Sequence, residues 1–117
     1  MESISIILRR APYGTIDTPE AIRHALGGVI EDMTVKLILV DGGVNAARKG
    51  QDTSSTEYLN AESGIRDCID MGTEVYADKA SIKEESLESS DIIEGVIVAS
   101  SSELAEIIAN SNTTMIF

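Results

Sequence analysis

The stretch Ser3–Thr18 constrains the fold most strongly, because its pattern predicts a strand, a turn and a helix start in that order. The run Ile4–Leu8 is apolar and long enough for a buried strand. Pro12 and Gly14 predict the turn. Thr18–Glu20 then predicts a helix start, with a threonine cap, a proline at the first helical position and an acidic first turn. This order is typical of a parallel α/β sheet.

The rest of the chain continues this alternation. Further strands are predicted at Thr34–Val40, Glu74–Ala77, Ile92–Ala99 and Thr113–Phe117. Further helices are predicted from Ser55 or Thr56 to about Asp70, within Val44–Lys49 and Lys79–Asp91, and after Ser100, where Ser100 and Glu103 form a capping-box pattern. We therefore predict one α/β domain over residues 1–117, in three layers, with a mostly parallel sheet of about five strands and helices on both faces.

The composition predicts a soluble, cytoplasmic protein without a membrane partner. Apolar residues make up 43% of the 117 residues, which is enough for one core. The apolar runs are far shorter than the ~20 residues of a membrane span, and the N-terminus lacks a signal-peptide pattern. A single cysteine cannot form an internal disulfide, which fits a reducing compartment.

The net charge of −11 is carried entirely by residues 51–117, whereas the first fifty residues are balanced. An acidic surface of this size repels phosphate backbones. We therefore expect no direct binding of nucleic acid by this chain alone.

Four basic residues, Arg9, Arg10, Arg48 and Lys49, follow predicted strand ends. Loops after parallel strands share one edge of the sheet, where ligands usually bind. One interpretation is a site for a small anion or an acidic partner. The alternative is that these side chains reach solvent or pair with nearby carboxylates.

Known site motifs are absent. Gly42 and Gly43 follow the second strand, but no phosphate-loop pattern is present, because Gly50 precedes Gln51 rather than a lysine. His24 lies near the edge of an apolar helix face, which favours a surface or boundary role. One histidine and one cysteine give no zinc pattern, and we expect neither metal nor cofactor.

Cys68 is the only thiol and a weak candidate for a sulfur carrier. It lies between Asp67 and Asp70 on the apolar stripe of its helix. Acidic neighbours raise a thiol pKa, and an apolar stripe buries the side chain. A small core residue is the favoured interpretation.

Four segments resemble the DsrE/DsrF-like sulfur-relay proteins, and the DsrF (TusC) branch in particular: Leu8–Thr15, Glu20–Leu26, Asp41–Val44 and Lys49–Asp52. The resemblance runs the length of the chain and is most specific in the first fifty residues. It implies a compact α/β domain that forms trimers or hexamers, often from related subunits. Relay members of this family pass persulfide sulfur along cysteines, toward tRNA thiolation or in sulfur oxidation.

The resemblance also implies that this chain lacks the relay thiol. The family's sulfur-carrying cysteine lies just after the third strand, which here falls on Ala77 or Asp78. DsrF-type subunits lack that cysteine too. The first hypothesis is therefore a non-catalytic subunit or scaffold, assembled with itself or with DsrE- and DsrH-like subunits, in which the Arg9–Gly14 loop lines a shared site or interface.

The second hypothesis is a protein that acts alone. It would carry sulfur on Cys68, or bind a small anion or nucleotide at the basic strand-end edge. Across both hypotheses, the candidate ligand or interface residues are Arg9, Arg10, Tyr13, Gly14, Gly42, Gly43, Arg48 and Lys49.

Overall fold

The computed structural model describes residues 2–117 and confirms the α/β fold class. The strands are β1 Ser3–Leu8, β2 Thr34–Leu39, β3 Glu74–Asp78, β4 Ile97–Ala99 and β5 Thr113–Ile116. The helices are α1 Asp17–Ile30, α2 Ala61–Asp70, α3 Lys79–Glu84 and α4 Ser101–Ala109, with short 3-10 helices at Asp41–Ala47 and Ser89–Asp91. The strands form one sheet in the order β4-β3-β2-β1-β5, and all the pairs are parallel.

Side chains that alternate along the strands build a core on each face of the sheet. Ile4, Ile6 and Leu8 of β1 join the main core, against which α1 and α2 pack residues such as Ala25 and Ile65. The smaller core on the opposite face lies under α4 and consists of Ile38, Tyr76, Ala99 and Leu104. Helices therefore cover both faces, as the sequence predicts.

The prediction that Thr18 caps the first helix is wrong. The helix begins at Asp17, with Ile16 at the N-cap position and no side-chain capping bond there. Thr15 Oγ1 accepts a hydrogen bond from the Asp17 N–H at 3.3 Å. Thr18 lies inside the first turn and is buried, because the helix packs on the core from its first residues.

The second long helix begins at Ala61 rather than after Ser55 or Thr56, so that prediction is also wrong. Asn60 is the cap, and its Oδ1 accepts a hydrogen bond from the Ser63 N–H at 3.0 Å. Asparagine caps a helix as well as serine does. Thr56 instead closes a turn in the preceding loop.

The fourth strand is shorter than the predicted Ile92–Ala99 and begins at Ile97. Gly95 has a φ of 97°, a left-handed conformation that interrupts an extended strand. Ile92 and Ile93 are buried before this break and belong to the main core. Their apolar character therefore reflects core packing, and Ile92 also forms an isolated antiparallel bridge with Arg48 outside the five-stranded sheet.

The remaining boundaries need smaller corrections. The helical segment after β2 is the 3-10 helix Asp41–Ala47, which begins before the predicted Val44–Lys49 and ends before Arg48. The capping box of α4 is confirmed, since Ser100 Oγ accepts from the Glu103 N–H at 3.2 Å. Among residues 2–117, no helix has the length and apolar character to cross a membrane.

Candidate functional site

The carboxyl edge of the sheet gathers the loops that the sequence predicts to carry function. The Asp41 N–H, which begins the 3-10 helix, donates to Ser81 Oγ of α3 at 2.8 Å. Ser101 Oγ, at the start of α4, donates to Asp78 Oδ1 at 3.2 Å. The segments that follow β2, β3 and β4 are therefore joined by hydrogen bonds at this edge.

The four basic residues are all exposed, but they lie in two different loops. Arg9 and Arg10 follow β1, whereas Arg48 and Lys49 follow the 3-10 helix. Arg10 pairs with Asp17, with Nε 3.4 Å from Oδ2. The loop that carries Arg48 and Lys49 is held by the segment before β4, to which the Lys49 N–H donates at 2.7 Å. Within residues 2–117, Arg9, Arg48 and Lys49 form no ion pair. A single basic spot formed by all four residues stays a prediction.

Gly42 and Gly43 allow the 3-10 helix to lie against the end of β1. A Cβ on Gly43 would lie 2.2 Å from the Leu8 carbonyl oxygen, and a Cβ on Gly42 would lie 3.1 Å from the Ala11 backbone nitrogen. Gly14 turns the facing loop with a φ of 99°. Close backbone packing and a left-handed turn therefore explain the presence of glycine at these three positions without a bound phosphate.

Tyr13 and Gln51, which belong to two separate sequence motifs, are hydrogen-bonded to each other. The Tyr13 hydroxyl donates to Gln51 Oε1. Gln51 Nε2 lies within hydrogen-bond distance of the carbonyl oxygens of Asn45, Ala46 and Arg48, at 3.3, 3.1 and 2.8 Å. One glutamine therefore ties the loop after β1 to the end of the 3-10 helix.

The backbone of Gln51 extends this network to the start of α2. The Gln51 N–H donates to Glu62 Oε1 at 3.0 Å, and Asn60 Nδ2 donates to the Gln51 carbonyl at 2.9 Å. The Arg66 guanidinium, followed by the Gln51 amide, lowers the pKa of the Glu62 carboxyl. We call Tyr13, Gln51, Asn60 and Glu62 the loop latch. Of this set only Tyr13 was predicted from the sequence as a site residue, although Gln51 lies in the segment Lys49–Asp52 that carries the family resemblance.

Ala77 and Asp78, on which the resemblance puts the place of the relay cysteine, both have structural roles here. Ala77 is completely buried in the main core. The Asp78 carboxylate is buried and caps α3, since Oδ2 accepts from the Ser81 N–H at 3.2 Å and from Ser81 Oγ at 2.6 Å. Neither side chain can carry sulfur.

Cys68 is completely buried in the main core, on the inner face of α2. Burial, followed by the negative charge of Asp67, raises the pKa of the Cys68 thiol to about 11. At pH 7 a thiol of this pKa is ionised in only about one molecule in ten thousand. Because the thiolate is the nucleophile, the burial of Cys68 and the raised pKa of its thiol both disfavour nucleophilic attack by this sulfur.

An apolar groove that the sequence did not predict lies between α1 and the loop that leads into α2. Pro19 and Leu59 border each of its three adjoining hollows, whose volumes are about 280, 410 and 330 Å³. Ile16 and Leu59 are 72% and 76% exposed at its rim, and Tyr58 is half exposed. Thr18 lines the smallest hollow, and its buried hydroxyl has no hydrogen-bond partner among the described residues.

The histidine and the acidic side chains do not form a further chemical centre. His24 Nδ1 lies 2.8 Å from the Glu20 carbonyl oxygen, and the ring packs 5.4 Å from Phe117. In the part of the chain that the structure describes, no three histidine, cysteine or acidic side chains lie together as a metal site requires.

Sequence comparison relates the whole chain to known proteins. The profile of the DsrE/DsrF-like family matches residues 2–117. The chain is 32% identical over 117 residues to uncharacterized protein MK0008 of Methanopyrus kandleri, covering 100% of this chain and 95% of that protein. It is 33% identical over 87 residues to the intracellular sulfur oxidation protein DsrF of Allochromatium vinosum, covering 74% of this chain and 64% of that protein.

Structural comparison shows the same fold in solved proteins. The crystal structure of the ychN protein from E. coli covers the full length of both chains with a TM-score of 0.90 and 22% sequence identity. The structure of MTH1491 from Methanobacterium thermoautotrophicum covers 97% of each chain with a TM-score of 0.74 and 13% identity. At these identities the likeness concerns the fold.

Proposed function

Because this chain belongs to the DsrE/DsrF-like family, we propose that it is a non-catalytic, DsrF-like subunit of a cytoplasmic sulfur-relay assembly. The family match and the similarity to DsrF support a role related to sulfur relay. In the proposed assembly another subunit carries sulfur as a cysteine persulfide, and the present chain supports or shapes the site. A reducing compartment keeps such relay thiols available.

The lack of a usable thiol carries this proposal. Persulfide transfer requires a thiolate that attacks the donor sulfur. Cys68 is buried with a thiol pKa of about 11, and the place that the resemblance assigns to the relay cysteine falls on Ala77 or Asp78. The same observations argue against the hypothesis that the chain carries sulfur alone on Cys68.

Exposed apolar side chains support the assembly part of the proposal. Ile16, Tyr58 and Leu59 expose at least half of their surface around one groove. Contiguous apolar surface of this kind marks contacts between proteins. We propose that a subunit of the same fold covers it, either a second copy or a DsrE- or DsrH-like partner.

The first experiment measures the reactivity of Cys68 in the native protein with a coloured thiol reagent. A Met71→Cys variant, which places an exposed thiol at the end of the same helix, is the matched control. We expect rapid labelling of one thiol in the variant and none in the parent until denaturant is added. After treatment with a persulfide donor, the intact mass of the parent should show no added sulfur. Labelling of Cys68 at the control rate together with a stable gain of one sulfur would make the chain a carrier and overturn the proposal.

The second experiment tests the assembly. We expect coexpression with DsrE- and DsrH-like subunits to give a complex that co-elutes with a defined mass in light scattering. A Leu59→Asp variant should weaken that complex, whereas Ile30→Asp, at an exposed residue near the end of α1, should not. Persistent failure of the parent chain to associate with itself or with either partner would count against the subunit role.

A further inference from the structure

A separate hollow of about 520 Å³ lies between α3 and the edge strand β4. Lys79, Ile82 and Lys83 of α3 form one wall, at positions that share one face of a helix. Leu87 and Val98 lie among the residues that complete the lining. We call these five residues the edge hollow. It lies outside the loop latch and the groove near α1.

The floor of the edge hollow is apolar and adjoins an unpaired strand edge. Ile82 is buried, Leu87 is half-buried, and Val98 is 46% exposed. Val98 belongs to β4, which in the sheet of the described residues has β3 as its one neighbour. An edge strand presents backbone donors and acceptors that an added extended segment can use.

The edge hollow is also a local exception to the acidic charge of the chain. Of the three basic residues in 51–117, two line it, Lys79 and Lys83. Both side chains are exposed, and neither forms an ion pair within residues 2–117. Glu88 also lines the hollow, and Glu103 interacts electrostatically with Lys79. The local excess of positive charge is therefore small. It is nevertheless opposite in sign to a chain whose net charge is −11.

The spacing of the two lysines matches an extended peptide. Lys79 and Lys83 are one helical turn apart, which corresponds to about 6 Å along α3. Side chains two residues apart on one side of an extended strand are about 6.7 Å apart. Two carboxylates at alternate positions of a strand can therefore each meet one lysine.

We propose that the edge hollow binds an extended acidic segment of another protein, which adds alongside β4. Carboxylates at alternate positions pair with Lys79 and Lys83, and an apolar side chain further along the same side packs on Leu87 and Val98. A second copy of this chain is a separate outcome, which the light-scattering measurement below distinguishes from an acidic segment that pairs with Lys79 and Lys83. The inference goes beyond the sulfur-relay proposal and does not depend on it.

The test uses a fluorescent seven-residue threonine peptide with glutamate at its second and fourth positions and valine at its sixth. Fluorescence anisotropy measures its binding to the full chain, and amide NMR shifts locate it. We expect the Lys79→Glu/Lys83→Glu variant to weaken binding by about tenfold. The Arg48→Glu/Lys49→Glu variant changes the net charge equally at two other exposed cations, and it should change binding by less than about twofold. A peptide with glutamines in place of the glutamates should bind about tenfold more weakly to the parent chain.

Several results would overturn the inference. One is the absence of binding to the parent chain at millimolar peptide, and another is equal weakening by the two double variants, which would indicate a general charge effect. NMR shifts confined to residues outside α3 and β4 would also contradict it. If the Lys79→Glu/Lys83→Glu variant changes the mass of the free protein in light scattering but not peptide binding, the occupant is a second copy instead.

Discussion

Replacing Gln51 with alanine tests whether the loop latch stabilises the loops near the carboxyl edge. The change removes the acceptor of the Tyr13 hydroxyl and the bonds from Nε2 to the carbonyls of Ala46 and Arg48. Each hydrogen bond contributes about 0.5–1.5 kcal/mol net. Because Gln51 is only half-buried, water replaces part of what is lost. We expect the free energy of unfolding to fall by about 2 kcal/mol.

A double-mutant cycle isolates the bond between the two motifs. Tyr13→Phe removes only the hydroxyl, and we expect it to cost about 1 kcal/mol. In the double variant the Tyr13–Gln51 bond is lost only once, so the two single losses should exceed the double loss by about 1 kcal/mol. Glu57→Ala, at an exposed residue of the same loop, is the control and should stay within about 0.5 kcal/mol of the parent.

The assay is urea unfolding followed by far-ultraviolet circular dichroism. All variants are compared at one protein concentration, because any assembly makes apparent stability depend on concentration. Strictly additive single losses would show that Tyr13 and Gln51 do not act together. A loss for Gln51→Ala as small as that of Glu57→Ala would refute the latch altogether.

Other substitutions give further expected outcomes in the same unfolding assay. Gly43→Ala should lower the free energy of unfolding by about 1–3 kcal/mol, because its Cβ would meet the Leu8 carbonyl. Gly27→Ala, in open space within α1, should raise the free energy of unfolding by about 0.4–1 kcal/mol. Equal effects of the two glycine changes would contradict the close-packing argument. Asp78→Ala should lower the free energy of unfolding by about 1–2 kcal/mol, because α3 loses its N-cap. An unchanged urea midpoint would count against that capping role. The lowered pKa of Glu62 contributes stability that is present above its unfolded pKa and is lost as the pH falls through the folded pKa. Glu62→Gln should therefore flatten the acid side of the stability curve, and a curve identical to that of the parent would contradict the assignment.

Local patterns were sufficient for the architecture. The apolar run Ile4–Leu8 and the capping pattern of Ser100 and Glu103 produce the expected strand and helix start, because their causes lie within a few residues of chain. The burial of Cys68 follows the apolar stripe of its helix for the same reason. Local patterns failed where two signals competed. Asn60 caps α2, although the sequence predicted a cap at Ser55 or Thr56. Thr18 was predicted to cap α1 but is buried by packing on the core.

The sequence by itself determined that this chain forms a parallel α/β domain of the DsrE/DsrF-like type, since strand and helix patterns and family motifs follow from residue types and short spacings. Only the tertiary structure decided which residues meet. Tyr13 and Gln51 are hydrogen-bonded although they lie 38 positions apart in the sequence. Lys79 and Lys83 of α3 line one hollow with Val98 of β4, which follows them in the sequence. Such contacts depend on the order of strands in the sheet, which brings distant loops to one edge and which no local pattern encodes.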